Sequence, residues 1–197
     1  MLSDKRNFII KLFRCLLTFS GLALFLFACA PIRTNGINTQ VSTAESTTTP
    51  DWFDMELTDA LTGKVFTIND FAGKVILLDT MAMWCPNCVI QATQVEKLHE
   101  ALGHPDDLIT VSLDVDINED EAALKEYVSS YRFDWYFAVA PLGVARALGN
   151  LYSAEYLNPP LSPMMIIDRD GNVHQLEYGI KKVDTLQRVL EPFLEEK

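Results

Sequence analysis

The chain has 197 residues, 49% hydrophobic and 22% charged: room for one ordinary domain with extensions, too short for two large ones, and too apolar for a disordered or collagen-like polymer. Its formal charge of −11 is unevenly placed, residues 1–28 carrying four basic side chains and one acid and the remainder 12 basic and 26 acidic ones. A body that acidic repels phosphate backbones, so no nucleic-acid partner is expected.

Lys5, Arg6, Lys11 and Arg14 precede a stretch of 18 uncharged residues, Cys15 to Ile32. This is the basic start and apolar middle of a secretory signal, with its positive end held in the cytoplasm. The stretch closes as Leu26-Phe27-Ala28-Cys29, which resembles the lipobox of bacterial lipoproteins, although Phe27 is bulkier than the usual residue. That resemblance implies a signal over residues 1–28, cut before Cys29, with Cys29 lipidated. An uncut signal anchor is the alternative, because 18 apolar residues just span a bilayer. Both readings put the body outside the cytoplasm and at the cell membrane. Residues 29–50 are read as the tether: residues 33–50 hold eight Ser/Thr and no aromatic residue, so they cannot build a core. As a flexible coil they span about 21–25 Å.

Residues 51–197 carry the fold. Phe53 to Thr58 and Lys64 to Ile68 flank Asp59-Ala60-Leu61-Thr62-Gly63, a hairpin signal. Lys74 to Asp79 is a nearly continuous apolar run, as in a strand buried on both faces. A helix is expected over Pro86 to Leu102, with Cys85 at its N-cap, Pro86 in its first turn and Gly103 just past its end. Leu108 to Val115 reads as a second buried strand. The next helix is expected from Asn118, with Glu121 completing a capping box and Leu124, Tyr127, Val128 and Tyr131 as its apolar stripe. Trp135 to Val139 follows as a short strand, then Pro141 to Leu148 as a short helix stopped by Gly149. After the proline-rich Asn158 to Pro163, a strand over Met164 to Ile167 turns at residues 168–171 into a partner over Val173 to Tyr178. Val183 to Leu194 closes the chain as a helix that Pro192 should disturb. Strands alternating with helices imply an α/β domain, its central sheet covered on both faces.

The chemistry gathers at Trp84-Cys85-Pro86-Asn87-Cys88. Two cysteines three residues apart at a helix start are close enough to form a small disulfide ring. The first lies at the positive end of the helix dipole, where unpaired N–H groups favour an exposed, low-pKa thiolate. The second, one turn in, can attack a mixed disulfide and release the product. A zinc half-site needs two further ligands, yet there is no second cysteine pair and His99, His104 and His174 are scattered. A purely structural disulfide closes too small a loop to matter. Asp114-x-Asp116-x-Asn118 begins like a calcium loop, but Glu119 replaces the required glycine and Lys125 the final glutamate. It is read as a solvated acidic loop, and His99 and His104 as surface groups at a helix end.

Strand, Trp-Cys-Pro-x-Cys, helix resembles the active-site signature of thioredoxin-like proteins. The segment TDALTGKVFTINDFAGKVILLD before it is similar to the start of the TlpA-type, membrane-anchored thiol–disulfide oxidoreductases. The resemblance covers residues 51–197 and implies a thioredoxin-like fold: a central mixed sheet flanked by helices, with an N-terminal β-hairpin extension. It implies that Cys85 is the nucleophile, Cys88 the resolving thiol and Trp84 the flanking aromatic. Asp79, six residues before Cys85, stands where thioredoxin has its buried acid. Burial would raise its pKa and let it take the Cys88 proton; a water-accessible loop cap is the alternative. Ser162-Pro163 stands where the family keeps a cis-proline loop opposite the cysteines, with Pro159 and Pro160 as competing candidates.

The resemblance further implies a reductant of protein disulfides, recharged by a membrane electron donor, with no cofactor beyond the Cys85–Cys88 disulfide. Apocytochrome c is one implied substrate class, although residues 150–163 are longer and richer in proline than is usual in cytochrome-maturation thioredoxins. Two alternatives share the frame. A peroxiredoxin-like peroxidase needs Thr or Ser three residues before the reactive cysteine, where this chain has Ala82. A Sco-type copper-delivery protein needs CxxxC plus a histidine near the proline loop, where this chain has CxxC and Ser162-Pro163.

Overall fold

The computed structural model describes residues 49–195; the expected signal, Cys29 and nearly all of the tether lie outside the described residues. The hairpin forms as β1 (Leu57–Thr58) and β2 (Val65–Phe66), antiparallel and shorter than expected because one-turn helices at Asp51–Asp54 and Ile68–Phe71 take up its flanks. Ala60 N donates to Phe137 O at 2.7 Å, joining the hairpin to the main sheet.

That sheet has five strands. The apolar runs become β3 (Val75–Met81), β4 (Leu108–Asp114), β5 (Tyr136–Val139), β6 (Met164–Ile167) and β7 (Val173–Gln175), in the order β5-β4-β3-β6-β7. β3, β4 and β5 run parallel, while β6 and β7 pair antiparallel, so the sheet is mixed as expected. α1 (Pro86–Leu102) links β3 to β4, and α2 (Glu121–Tyr131) links β4 to β5. Both crossovers step the same way along the sheet, so right-handedness puts both helices on one face. α4 (Val183–Glu195) joins them there, whereas α3 (Leu142–Leu151) lies on the other.

The pleat of β3 divides the core. Val75, Leu77 and Met81 pack with Leu98 of α1, Val128 of α2 and Leu190 of α4. Ile76 and Leu78 pack with Trp52, Phe53 and Leu148 of α3. Asp79 therefore points to the face that α1 covers. Truncation of Leu98, which is wholly enclosed, to alanine would cost about 2–5 kcal/mol.

Several boundaries depart from expectation. Asn118 does not cap α2: its backbone and side-chain nitrogens both donate to Asp116 Oδ1. Asp120 takes the cap instead, accepting from Ala123 N at 2.9 Å. Gly149 does not stop α3. A Cβ there would meet Leu157 at 3.1 Å, so the glycine admits the Ala154–Leu157 turn against the helix. α4 runs through Pro192 to Glu195, since a proline so near the end forfeits little of the ladder. His99 is buried, with a ring nitrogen 2.8 Å from Thr110 Oγ1 and an edge contact to Trp135. Burial lowers its pKa, so it is a core histidine and not a surface cap. Among the described residues, no helix is long and apolar enough to cross a membrane.

Candidate active site

The central strand ends at Met81 and the chain turns directly into α1, with Cys85 N donating to Ala82 O at 3.1 Å. Cys85 is the N-cap, Pro86 needs no donor in the first turn, and Gly103 ends the helix in the left-handed conformation at φ 71°. This places Cys88 one turn above Cys85. The two are joined as a disulfide, with Cα atoms 5.3 Å apart. Cys88 N also donates to Cys85 Sγ at 3.2 Å. On reduction the same N–H would stabilise negative charge on Cys85 sulfur, as a helix N-terminus does for any anion.

Cys85 is fully enclosed in this oxidised state and Cys88 is 5% exposed, contrary to the exposed nucleophile expected. The proline-rich segment contributes to this enclosure. Its Pro159–Leu161 turn lies on the start of α1, where Asn87 Nδ2 donates to Pro160 O at 2.8 Å and Cys88 Sγ lies 3.6 Å from Pro159 O.

The expected cis bond at Ser162–Pro163 is absent; among the described residues every peptide bond is trans. The reversal is made instead by Ser162, left-handed at φ 47° and ψ 55°. Pro163 then enters β6, its carbonyl accepting from Thr80 N at 3.3 Å. The proline carbonyls that reach the cysteine helix belong to Pro159 and Pro160.

Trp84 is 58% exposed, and its indole Nε1 donates to Asp116 Oδ2 at 2.6 Å. An open cleft of about 210 Å³ beside it is lined by Val115, Asp116, Ile117, Leu157 and Pro159. The calcium-like acidic loop holds this corner together. Glu119 accepts from Met83 N at 2.7 Å, and Asp114, wholly buried, accepts from Asp116 N at 3.0 Å. Burial and the adjacent Glu119 carboxylate push Asp114 well above the usual carboxylate range.

Asp79 is buried where the sequence places it. Desolvation raises its pKa to about 6, against the opposing pull of a hydrogen bond from Ser112 and the charge of Lys181. Ser112, Gln91 and Lys181 are members of the site that sequence reasoning did not single out. Gln91 carries a signal, since it lies three residues beyond Cys88 and so shares its helix face.

Comparison with known proteins matches these features. The Redoxin family model matches residues 42–190. The thiol-disulfide oxidoreductase ResA of Bacillus thuringiensis subsp. konkukian is 27% identical over 131 residues, 66% of this chain and 69% of that protein. Among solved structures, a thioredoxin-family thiol:disulfide interchange protein from Chlorobium tepidum superposes with a TM-score of 0.60 at 19% identity, covering 71% of this chain and 92% of that one. The exposed lipoprotein thioredoxin Etrx1 of Streptococcus pneumoniae gives 0.55 at 20% identity, covering 70% and 98%. These structural matches carry the fold, and the family match spans both the fold and the cysteine pair. The chain belongs to the Redoxin family, as a thiol–disulfide oxidoreductase of thioredoxin-like fold and TlpA type.

Proposed function

We propose that the protein is a lipid-anchored, extracytoplasmic reductant of protein disulfides that works through Cys85-Pro86-Asn87-Cys88. The carrying observation is the Cys85–Cys88 disulfide at the N-terminus of α1, on the face that also buries Asp79. In the reduced protein, the Cys85 thiolate attacks a substrate disulfide, and one substrate sulfur leaves with the electron pair. Cys88 then gives its proton to Asp79 and attacks Cys85 sulfur. The second substrate sulfur leaves, and the Cys85–Cys88 disulfide forms. The substrate has gained two electrons from the cysteine pair, and its two thiolates take up one proton from Asp79, which received it from Cys88, and one from water, since Cys85 attacked as a thiolate.

The anchor rests on Leu26-Phe27-Ala28-Cys29, and the lipoprotein nature of the Streptococcus thioredoxin is in keeping with it. A membrane electron donor would return the pair to the dithiol, and apocytochrome c is the substrate class first to be tried. A peroxidase reading is weakened by Ala82. A copper-delivery reading is weakened by His174, whose ring is held 2.7 Å from Asp168 beyond the far end of β6 from Pro163.

The test uses the full chain, purified in detergent and reduced, mixed with a protein carrying one disulfide. Thiols gained by the substrate should match thiols lost from Cys85 and Cys88, and Cys85→Ser should transfer none. Consumption of hydrogen peroxide without thiol transfer would overturn the proposal.

A further inference from the structure

Lysine is almost never buried unless it is paired, yet Lys181 is only 7% exposed. It lies between β7 and α4, and Gln91 of the cysteine helix clamps its backbone. Lys181 N donates to Gln91 Oε1 at 2.7 Å, and Gln91 Nε2 donates to Lys181 O at 3.2 Å. Its ammonium turns inward. Nζ donates to Ser162 O at 2.8 Å and to Gly179 O at 2.7 Å, and among the described residues it has no ion pair within 4.0 Å. Both direct acceptors are carbonyls, which leave the positive charge uncompensated.

The carboxylate that answers this charge at longer range is Asp79 of β3, which lies opposite Met164 in the β3–β6 pair, two residues beyond the Ser162 carbonyl that Nζ holds. The two attract one another, and Glu177 adds a second, weaker attraction. Asp79 is faced from β4 by the Ser112 hydroxyl and from α2 by the phenol of Tyr127. Neither of these neighbours is a cation, so Lys181 supplies the positive charge on Asp79. Its position also lets one residue hold three parts of the site: the cysteine helix through its backbone on Gln91, the Ser162 turn through its ammonium, and Asp79 through charge.

We propose that Lys181 is a positioning residue for disulfide exchange, fixing the Ser162 turn to the cysteine helix and supplying the counter-charge that readies the Asp79 carboxylate for the Cys88 proton. The proposal rests on the role given to Asp79 above. During resolution the proton passes from Cys88 sulfur to an Asp79 oxygen, the Cys88–Cys85 bond forms, and the Cys85–substrate bond breaks with its electron pair on the substrate sulfur. Lys181 keeps its proton throughout. Without its charge, the carboxylate would be protonated over more of the neutral range and would accept the Cys88 proton less often.

The test is the full chain carrying Lys181→Met, which keeps the length of the stem and removes the charge. The pH profile of mixed-disulfide resolution should move to higher pH, the rate near pH 6 falling about fivefold and rejoining wild type by about pH 9. Carbon-13 NMR of the Asp79 carboxyl should show its titration moved the same way. A rate lowered equally at every pH, with the Asp79 titration unmoved, would mean that Lys181 is only structural and would overturn the proposal.

If Lys181→Met does not fold, linkage offers a second measurement. Coupling is reciprocal, so in Asp79→Asn the Lys181 ammonium should titrate at lower pH by nitrogen-15 NMR. An unchanged Lys181 titration would also overturn the proposal. Both titrations are read without substrate, so they can succeed or fail independently of the disulfide-reductase reading.

Discussion

Ser112 Oγ donates to Asp79 Oδ1 at 2.7 Å, and the two residues sit directly opposite in the parallel β3–β4 pair. The hydroxyl is itself oriented by Trp135 Nε1, which donates to it at 3.0 Å. One neutral donor and a cation at longer range cannot offset the loss of water, so burial prevails and the carboxyl rises from 3.8 to about 6. A group so placed still ionises near neutral pH, and so can take up and give back a proton there.

Asp79→Asn keeps the acceptor for Ser112 and removes the titration. An acid whose folded pKa is raised stabilises the fold fully below about 4, and loses that contribution as pH rises through about 6. The variant should therefore gain up to about 3 kcal/mol over wild type at pH 8 and far less at pH 4. Denaturant titrations at the two pH values check this; an equal difference at both would mean the carboxyl is not desolvated. Resolution of mixed disulfides should slow, and its inflection near pH 6 should vanish.

Cys88→Ser should accumulate mixed disulfides through Cys85, and Cys85→Ser should trap almost none. The division of roles follows from the Cys88 N–H that points at Cys85 sulfur and from the deeper place of Cys88 in α1. Non-reducing gels of cells expressing each variant measure it. Equal trapping by both would assign the attack to either sulfur.

Cys85, Cys88 and the bounds of α1 could be read from the sequence because they depend on local chemistry: a proline that starts a helix, a glycine that ends it, and three-residue spacing. Asp79 could be read because it interrupts an apolar run. Lys181 could not, since a Lys-Lys pair ahead of a helix looks like solvated surface, and its burial depends on β7 bringing the chain back to Gln91. Asp114 read as part of a solvated loop. It is buried because β4 lies between β3 and β5, so that its neighbour Val115 donates to Met81 O and its own carbonyl accepts from Ala140 N. At Ser162-Pro163 the sequence marks a turn, but whether the peptide is cis or Ser162 goes left-handed is decided by how Pro159–Leu161 packs on α1.

That packing bears on access. Asn87→Ala removes the 2.8 Å hydrogen bond to Pro160 O, worth about 1 kcal/mol. If opening of residues 158–161 admits substrate, the variant should alkylate at reduced Cys85 about fivefold faster than wild type, with little change in melting temperature. Alkylation kinetics by mass spectrometry measure this, and an unchanged rate would mean that sulfur is reached by another route.

Cys29→Ser should abolish labelling of the protein by a radioactive fatty acid and leave the signal uncut, as expected if cleavage follows lipidation. Unchanged labelling would exclude Cys29 as the acceptor. A protein that remains in membranes without any labelled form, wild type included, would favour the uncut signal anchor.

The last prediction concerns the acidic loop under Trp84. Asp114 is wholly buried, and Glu119 beside it accepts from Met83 N, so a proton on Asp114 keeps two carboxylates from repelling each other. Its folded pKa lies above the ordinary one; stability from this group is therefore complete in acid and lost as pH rises past neutral. Ionisation would set Asp114 against Glu119 and Asp116, the residues that hold Met83 and Trp84 ahead of Cys85. Asp114→Asn keeps an acceptor for Asp116 N and cannot ionise. Its stability relative to wild type should grow from pH 6 and level off beyond about pH 8, and amide exchange at Met83, which quickens in wild type beyond its ordinary base-catalysed rise, should follow only that rise in the variant. A stability difference that stays flat across this range would show that Asp114 is ionised throughout, and that the Met83–Trp84 corner is held without a shared proton.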